Sequence, residues 1–413
     1  MTAVDTQTDK TPARKSFTEV WVVCIGHALT HWYPATFYII LPLIGNEFGL
    51  NYTQIGSIIA IQYAAGAIAN IPGGMIVDSM GRKGILMALS LFWIGVPYVV
   101  IGYASAYWVI LGCAILIGVG NNLWHPTAIP WLGKRFPDRK GLVMSFHSMG
   151  GNFGDAVAPL VIGLMLTIFT WREVLVMNVV PGVVMAILIM IYLGRIHTAD
   201  KKNESTKPGE QRLKGRAYFA AFGELLKSRA VLLLSLSSSC RALTMSALMA
   251  FLPLYLANYM GYSATAVGVA LFVMQGAGFA AAPIAGHLSD KMGRRQIIMS
   301  SFSVTAVVIL GMIFAGGTEL FVYMVALLGF FLFSIRAVLQ AWLLDATPSN
   351  MGGSAIGIMF GMQAAGQAIG PYCAGVLADT FGIMSAFYFL AATIVIANFF
   401  VFFTPVTKEE AKA

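Results

Sequence analysis

Charge is scarce in this 413-residue chain: Asp, Glu, Lys and Arg together make up 11% of it, against about 25% in soluble domains. Acid is scarcer than base, with 18 Asp and Glu to 26 Lys and Arg. Cysteine is rarer still. Cys24, Cys113, Cys240 and Cys373 all fall in apolar stretches without metal-ligand spacing, so they read as small core residues. No P-loop, ATP site or nucleophile constellation is present, which excludes an enzyme or a primary pump and leaves no cofactor to expect. The first sixteen residues lack the apolar core and small-residue cleavage site of a signal peptide, so the first span is read as an uncleaved helix behind a cytoplasmic tail.

What the chain does have is apolar length. Apolar residues are 58% of it, and twelve stretches reach the roughly 20 residues needed to cross a bilayer. They centre near residues 32, 64, 93, 117, 155, 183, 243, 275, 306, 332, 365 and 393. The expected fold is an all-α membrane protein of twelve transmembrane helices in two six-helix bundles. The expected boundaries are a tail at 1–17, a first bundle at 18–194, a linker at 195–229, a second bundle at 230–404 and a tail at 405–413.

A net charge of +8 invites a nucleic-acid reading, but its distribution argues otherwise. With the N-terminus inside, only Arg172, Arg241 and Arg336 of the 26 basic residues lie outside cytoplasmic tails and loops. That asymmetry is the positive-inside rule. The expected partner is a lipid bilayer, with both termini cytoplasmic and no nucleic acid.

One loop is written twice, 212 residues apart. Gly74-x3-Asp78-x2-Gly81-Arg82-Lys83 returns as Gly286-x3-Asp290-x2-Gly293-Arg294-Arg295. The register also pairs Gly49 with Gly261, Gly154 with Gly366, Pro159 with Pro371 and Gly163 with Gly375. A half-length repeat in an apolar chain is how a two-bundle transporter is built, with its site at the repeat interface. The doubled loop closely resembles the signature of the major facilitator superfamily. That resemblance implies alternating access, cavity-lining helices 1, 4, 7 and 10, and gating contacts from Asp78, Arg82, Asp290 and Arg294. Ser79 departs from it, standing where a basic residue is usual.

Several polar groups lie at mid-membrane, where a charged side chain costs roughly 2.5–3.5 kcal/mol on insertion scales. Arg241 is near the middle of helix 7 and Arg336 is in helix 10; His27 and His31 lie on helix 1, His125 on helix 4, and His147 and Asp155 on helix 5. Subtracting 212 maps Arg241 between His27 and His31, and maps Arg336 beside His125. A structural lock between one arginine and Asp155 is the plain alternative. It cannot cover both arginines, because Asp155 is the one clearly mid-span carboxylate, Asp345 and Asp379 being at helix ends. The excess positive charge therefore calls for an anion, and the forked guanidinium suits carboxylate or phosphonate oxygens. Arg241, Arg336, His27, His31, His125 and Gln340 are the candidate substrate contacts. Asp155, His27 and His31 are the candidate proton carriers. Two histidines without a third nearby ligand are not a metal set, so no metal is expected.

The strings His27-Ala-Leu-Thr-His31, Leu41-Pro42-Leu43, Glu47-Phe48-Gly49-Leu50, Thr53-Gln54-Ile55-Gly56, His125-Pro126 and Gly150-Gly151-Asn152-Phe153-Gly154 resemble the fosmidomycin-resistance branch of that superfamily. The branch looks like proton-driven efflux of small anionic phosphonates and implies a bacterial inner membrane. It has Asp where His31 stands and an acid where Thr127 stands. The expected function is thus a secondary transporter, acting as a monomer, that moves a small organic anion by proton-coupled efflux. An uptake symporter for a nutrient carboxylate is the first alternative. A membrane ligand sensor on the same fold is the second.

Overall fold

A computed structural model describes residues 17–405 apart from 80, 81, 122, 195–215, 317 and 349–350; the side chains of 70–79 and 216–221 also lie outside the description. The expected tails and most of the linker therefore fall outside the described residues. The linker's end is a short helix, Arg216–Lys227.

Every regular element among the described residues is helical. Eight helical segments are long and apolar enough to cross a membrane. Span 3 is Lys83–Gly102, span 4 Tyr107–Arg135, span 6 Trp171–Leu193, span 7 Arg229–Tyr259, span 8 Ala264–Met292, span 9 Arg294–Ala315, span 10 Leu320–Asp345 and span 12 Met384–Phe402. Four further helices are long enough, at 26 to 32 residues: span 1 is Phe17–Phe48, span 2 Tyr52–Ser79, span 5 Lys140–Met165 and span 11 Gly352–Phe381. At about 1.5 Å per residue each exceeds the roughly 30 Å of hydrocarbon. These twelve correspond to the twelve apolar stretches of the sequence.

Cross-half packing is built from residues that the repeat relates. Span 2 lies along span 11, and span 5 along span 8. Gly56 meets the Pro371 carbonyl, and its counterpart Gly268 meets the Pro159 carbonyl. Gly375 meets the Tyr52 carbonyl, and its counterpart Gly163 meets the Ala264 carbonyl. A Cβ at any of the four would collide with backbone, so small residues are what let these helices touch. On the pseudo-twofold axis Asn46 donates to Asn258 at 3.1 Å, and the two are 212 residues apart. Gly49 and Gly261, which end the first helix of each half, hold positive φ of 60° and 69°, the left-handed cap for which glycine is the default residue.

All these contacts lie at one end of the molecule, away from the duplicated loops. There Asp379 also crosses the halves. Its carboxylate accepts from the Tyr52 and Thr53 backbone N–H groups at 2.8 Å each, and from the Thr53 hydroxyl at 2.5 Å. Two polar ties among the described residues of the loop end lie within a half: Arg135 to Glu19 at 2.7 Å, and Arg294 to Asp345 at 2.5 Å. The two bundles are thus latched at one end, and among the described residues no ion pair joins them at the other.

Spans 4 and 10 break at equivalent points. Span 4 is helical over Tyr107–Asn121 and again over Trp124–Arg135, with Leu123 between at φ −83°, ψ −21°. Span 10 is helical over Leu320–Ser334 and Arg336–Asp345, with Ile335 between at φ −85°, ψ −5°. Leu123 plus 212 is Ile335. Both residues keep right-handed helical torsions, so each is a local interruption inside one continuous span.

Candidate functional site

His125 and Arg336 each sit in the first turn of a half-helix just past such a break. The remaining site residues come from spans 1, 5 and 7, with Gln340 further along span 10.

The first half supplies a histidine cluster. His27 is 4% exposed, and its Nδ1 lies 2.6 Å from the His147 carbonyl oxygen. A carbonyl can only accept, so this nitrogen carries the proton and donates, leaving a lone pair on Nε2. His27 Nε2 is 3.0 Å from His125 Nε2. His31, one turn along span 1, pairs its Nδ1 with Asp155 at 2.8 Å. His147 stacks on His27 with ring centroids 3.7 Å apart, and neither of its ring nitrogens has a partner. Gly151 makes the room: a Cβ there would come 2.7 Å from His27 Cε1 and 3.0 Å from His31 Nε2. Gly154, the next glycine along span 5, seats that helix against the Ala28 backbone.

The second half supplies the arginines. Arg241 is 3% exposed and its Nε has no hydrogen-bond partner; Nη1 reaches only the Met245 sulfur at 3.8 Å. Arg336 is exposed although protein surrounds it, as a side chain lining an open cavity is. It lies within electrostatic reach of Arg241 and of Asp155 and His125 across the halves. Neither arginine forms an ion pair among the described residues. Asp155 is bonded to His31 instead, so the structural-lock alternative does not describe this arrangement.

Gln340, half-buried one turn beyond Arg336, forms no described side-chain bond. Three other polar neighbours make interhelical ties. Gln363 donates to Ser238 at 2.5 Å, Thr244 bonds Thr393 at 2.8 Å, and Ser239 donates to the Met362 carbonyl at 2.6 Å. Each joins span 7 to span 11 or 12.

The gating candidates divide. Arg294 pairs with Asp290 at 3.2 Å and with Asp345 at 2.5 Å, all within the second half. Arg82 is exposed at the start of span 3, while the side chain of Asp78 lies outside the described residues.

Sequence reasoning named His125 but not its place: it stands beside His27 and His31, the nearest nitrogens of the three all within 4.8 Å of one another. It also missed Asp379 as a cross-half contact. The Asn46–Asn258 pair had a signal, since identical residues recur there at the repeat offset.

A sequence profile of the Major Facilitator Superfamily matches residues 23–280 and again 234–413. The chain belongs to the major facilitator superfamily. It is therefore a membrane transporter, not an enzyme. Among its relatives is the fosmidomycin resistance protein of Escherichia coli K12, 24% identical over 375 residues, with 89% of this chain and 88% of that protein covered. Another is the hexuronate transporter of Bacillus subtilis 168, 25% identical over 372 residues and covering 85% of each. In three dimensions the chain resembles a bacterial homologue of the human lysosomal transporter Spinster, in its inward-facing and unoccupied conformation. The TM-score is 0.79 at 16% identity, covering 95% of this chain and 98% of that one.

Proposed function

We propose that this transporter moves a small organic anion, a carboxylate or phosphonate, across the inner membrane by alternating access, coupled to protons in the direction of efflux. The observation that carries the reading is the pair of arginines, Arg241 and Arg336, standing at midspan without a carboxylate partner among the described residues. A bidentate guanidinium bond to an incoming oxyanion satisfies donors that are otherwise idle. The names of the two relatives, one a hexuronate carrier, are consistent with an acidic substrate.

His27, His31, His125 and Gln340 flank the anion in this reading, and Asp155, His27 and His31 carry the coupling proton. With the loops inside, the latched end faces out, and an efflux substrate enters from the loop end. Closing the loop end would bring the two duplicated loops together, with Asp78, Arg82, Asp290 and Arg294 exchanging partners. One chain contains both halves of the pathway, which supports a functional monomer.

Proteoliposomes loaded with a pH-sensitive dye test the reading. Small carboxylates and phosphonates are added in turn to wild type, Arg241→Gln and Arg336→Gln, with cationic drugs as controls. Proton movement triggered by anions alone and lost in both variants is the expected result, and its sign separates antiport from symport. A response to cations, or variants that still respond to anions, would overturn it.

A further inference from the structure

We infer that His27, His31 and His125 bind a divalent transition-metal ion, and that the anion held by the arginines arrives as that metal's chelate. The chelate half of this inference rests on the anion reading above; the metal site does not.

The hydrogen bonds already commit the ligands. His27 gives its Nδ1 proton to the His147 carbonyl, and His31 gives its own to Asp155. In their neutral forms both therefore present Nε2 lone pairs, and His125 Nε2 lies 3.0 Å from that of His27. A backbone carbonyl and a carboxylate holding the far nitrogens of two histidines are the outer shell that metal-ligating histidines use. The three nearest nitrogens span at most 4.8 Å. A tetrahedral ion with bonds of about 2.0–2.1 Å needs its ligands about 3.3 Å apart, so a small rotation of His31 closes the set. Without an ion, the His27–His125 contact is a hydrogen bond in which His125 Nε2–H donates to the His27 Nε2 lone pair; an ion takes the place of that proton once His125 carries its own on Nδ1.

All-imidazole donors select zinc, nickel, cobalt or copper over magnesium or calcium. Three nitrogens leave at least one coordination position open. His31 and Asp155 are each partly exposed, at 28% of the side chain, so the cluster is not sealed. Arg336 stands within electrostatic reach of His125. A bare dication would meet repulsion from it. A polycarboxylate complex would not: its metal faces the histidines of one half and its free carboxylates face the arginines of the other.

Cobalt(II) is the probe, because its visible spectrum reports ligand number and type. Purified full-length protein in detergent is titrated with Co2+ alone, with citrate alone, and with both. One Co2+ per chain is expected, with affinity lowered at least tenfold in His27→Gln and His125→Gln. Asp155→Asn should lower it about 10–100-fold while keeping the spectrum of a three-nitrogen site, a result that mere loss of folding cannot give. Citrate should tighten Co2+ binding in wild type and not in Arg336→Gln.

No stoichiometric Co2+ binding, or binding indifferent to the histidine changes, overturns the metal site. If citrate alone still binds through the arginines in that case, the anion reading stands without it. Co2+ held by the histidines with no arginine-dependent effect of citrate overturns the chelate; citrate alone binding equally well to Arg336→Gln overturns the anion reading as well.

Discussion

The two halves share one fold and hold opposite chemistry at the same register. Leu123 and Ile335 break equivalent helices in nearly the same backbone conformation, yet a histidine follows one break and an arginine the other. Likewise His27 and His31 on span 1 bracket the position that Arg241 occupies on span 7. The repeat preserves what packing requires, glycines at helix crossings and helix breaks at midspan. It does not preserve the groups that would touch a solute. A ligand seated between the halves therefore meets imidazoles on one side and guanidinium groups on the other, a polarity that a symmetric dimer of either half would lack.

Removing one side of that polarity should have the largest effect. Arg336→Gln is expected to cost about 2–5 kcal/mol of anion binding, the range for truncating one partner of a buried charge pair, or roughly 30-fold to over a thousandfold in Kd by calorimetry. Arg241→Gln should behave alike, while His125→Gln should leave the affinity for a metal-free carboxylate within about tenfold. Equal losses from both sides would erase the proposed division of labour.

What the halves share can be probed next. Gly154 and Gly366 are repeat partners, and a side chain at either would strike the backbone of the neighbouring first helix of its half, at Ala28 and Ser239. Leucine at each should destabilise by about 1–3 kcal/mol through overpacking, lowering Tm in detergent by similar amounts. Strongly unequal shifts would mean the halves are not equivalent scaffolds.

A smaller effect is expected at Asp155. Its carboxylate fixes the ring of His31, so Asp155→Asn should uncouple proton movement from anion movement in the dye assay while equilibrium anion binding changes by less than about tenfold. Loss of both together would make the pair part of the anion site.

The smallest is at the latch. Asp379 caps the start of span 2 from the other half; on span 8 Ser263 caps its own helix, and Thr265, the repeat partner of Thr53, donates across the halves to the Gly163 carbonyl at 3.0 Å. Asp379→Asn should weaken closure by about 1 kcal/mol, the size of a helix cap, and shift the open-to-closed ratio of that end about fivefold. Spin labels on spans 1 and 7 near Asn46 and Asn258 would read it as a longer distance population.

The sequence by itself determined the twelve helices, the two-bundle division and the identity of the mid-membrane charges. Apolar length and repeat register are local and periodic, and a bilayer leaves helices as the only way for single apolar segments to satisfy their backbone. It also located the glycines of the cross-half interface through their 212-residue spacing. Which groups pair was a different matter. Asp155 with an arginine was a sound alternative on the sequence, and Asp155 with His31 is what the packing of spans 1 and 5 decides. That His125 completes a three-imidazole set, and that Ser238, Thr244 and Gln363 tie helices, depends on rotation about each helix axis and on the crossing of distant spans. Those are fixed by how glycine and bulky faces interlock, a property of several helices together that no single stretch of sequence contains.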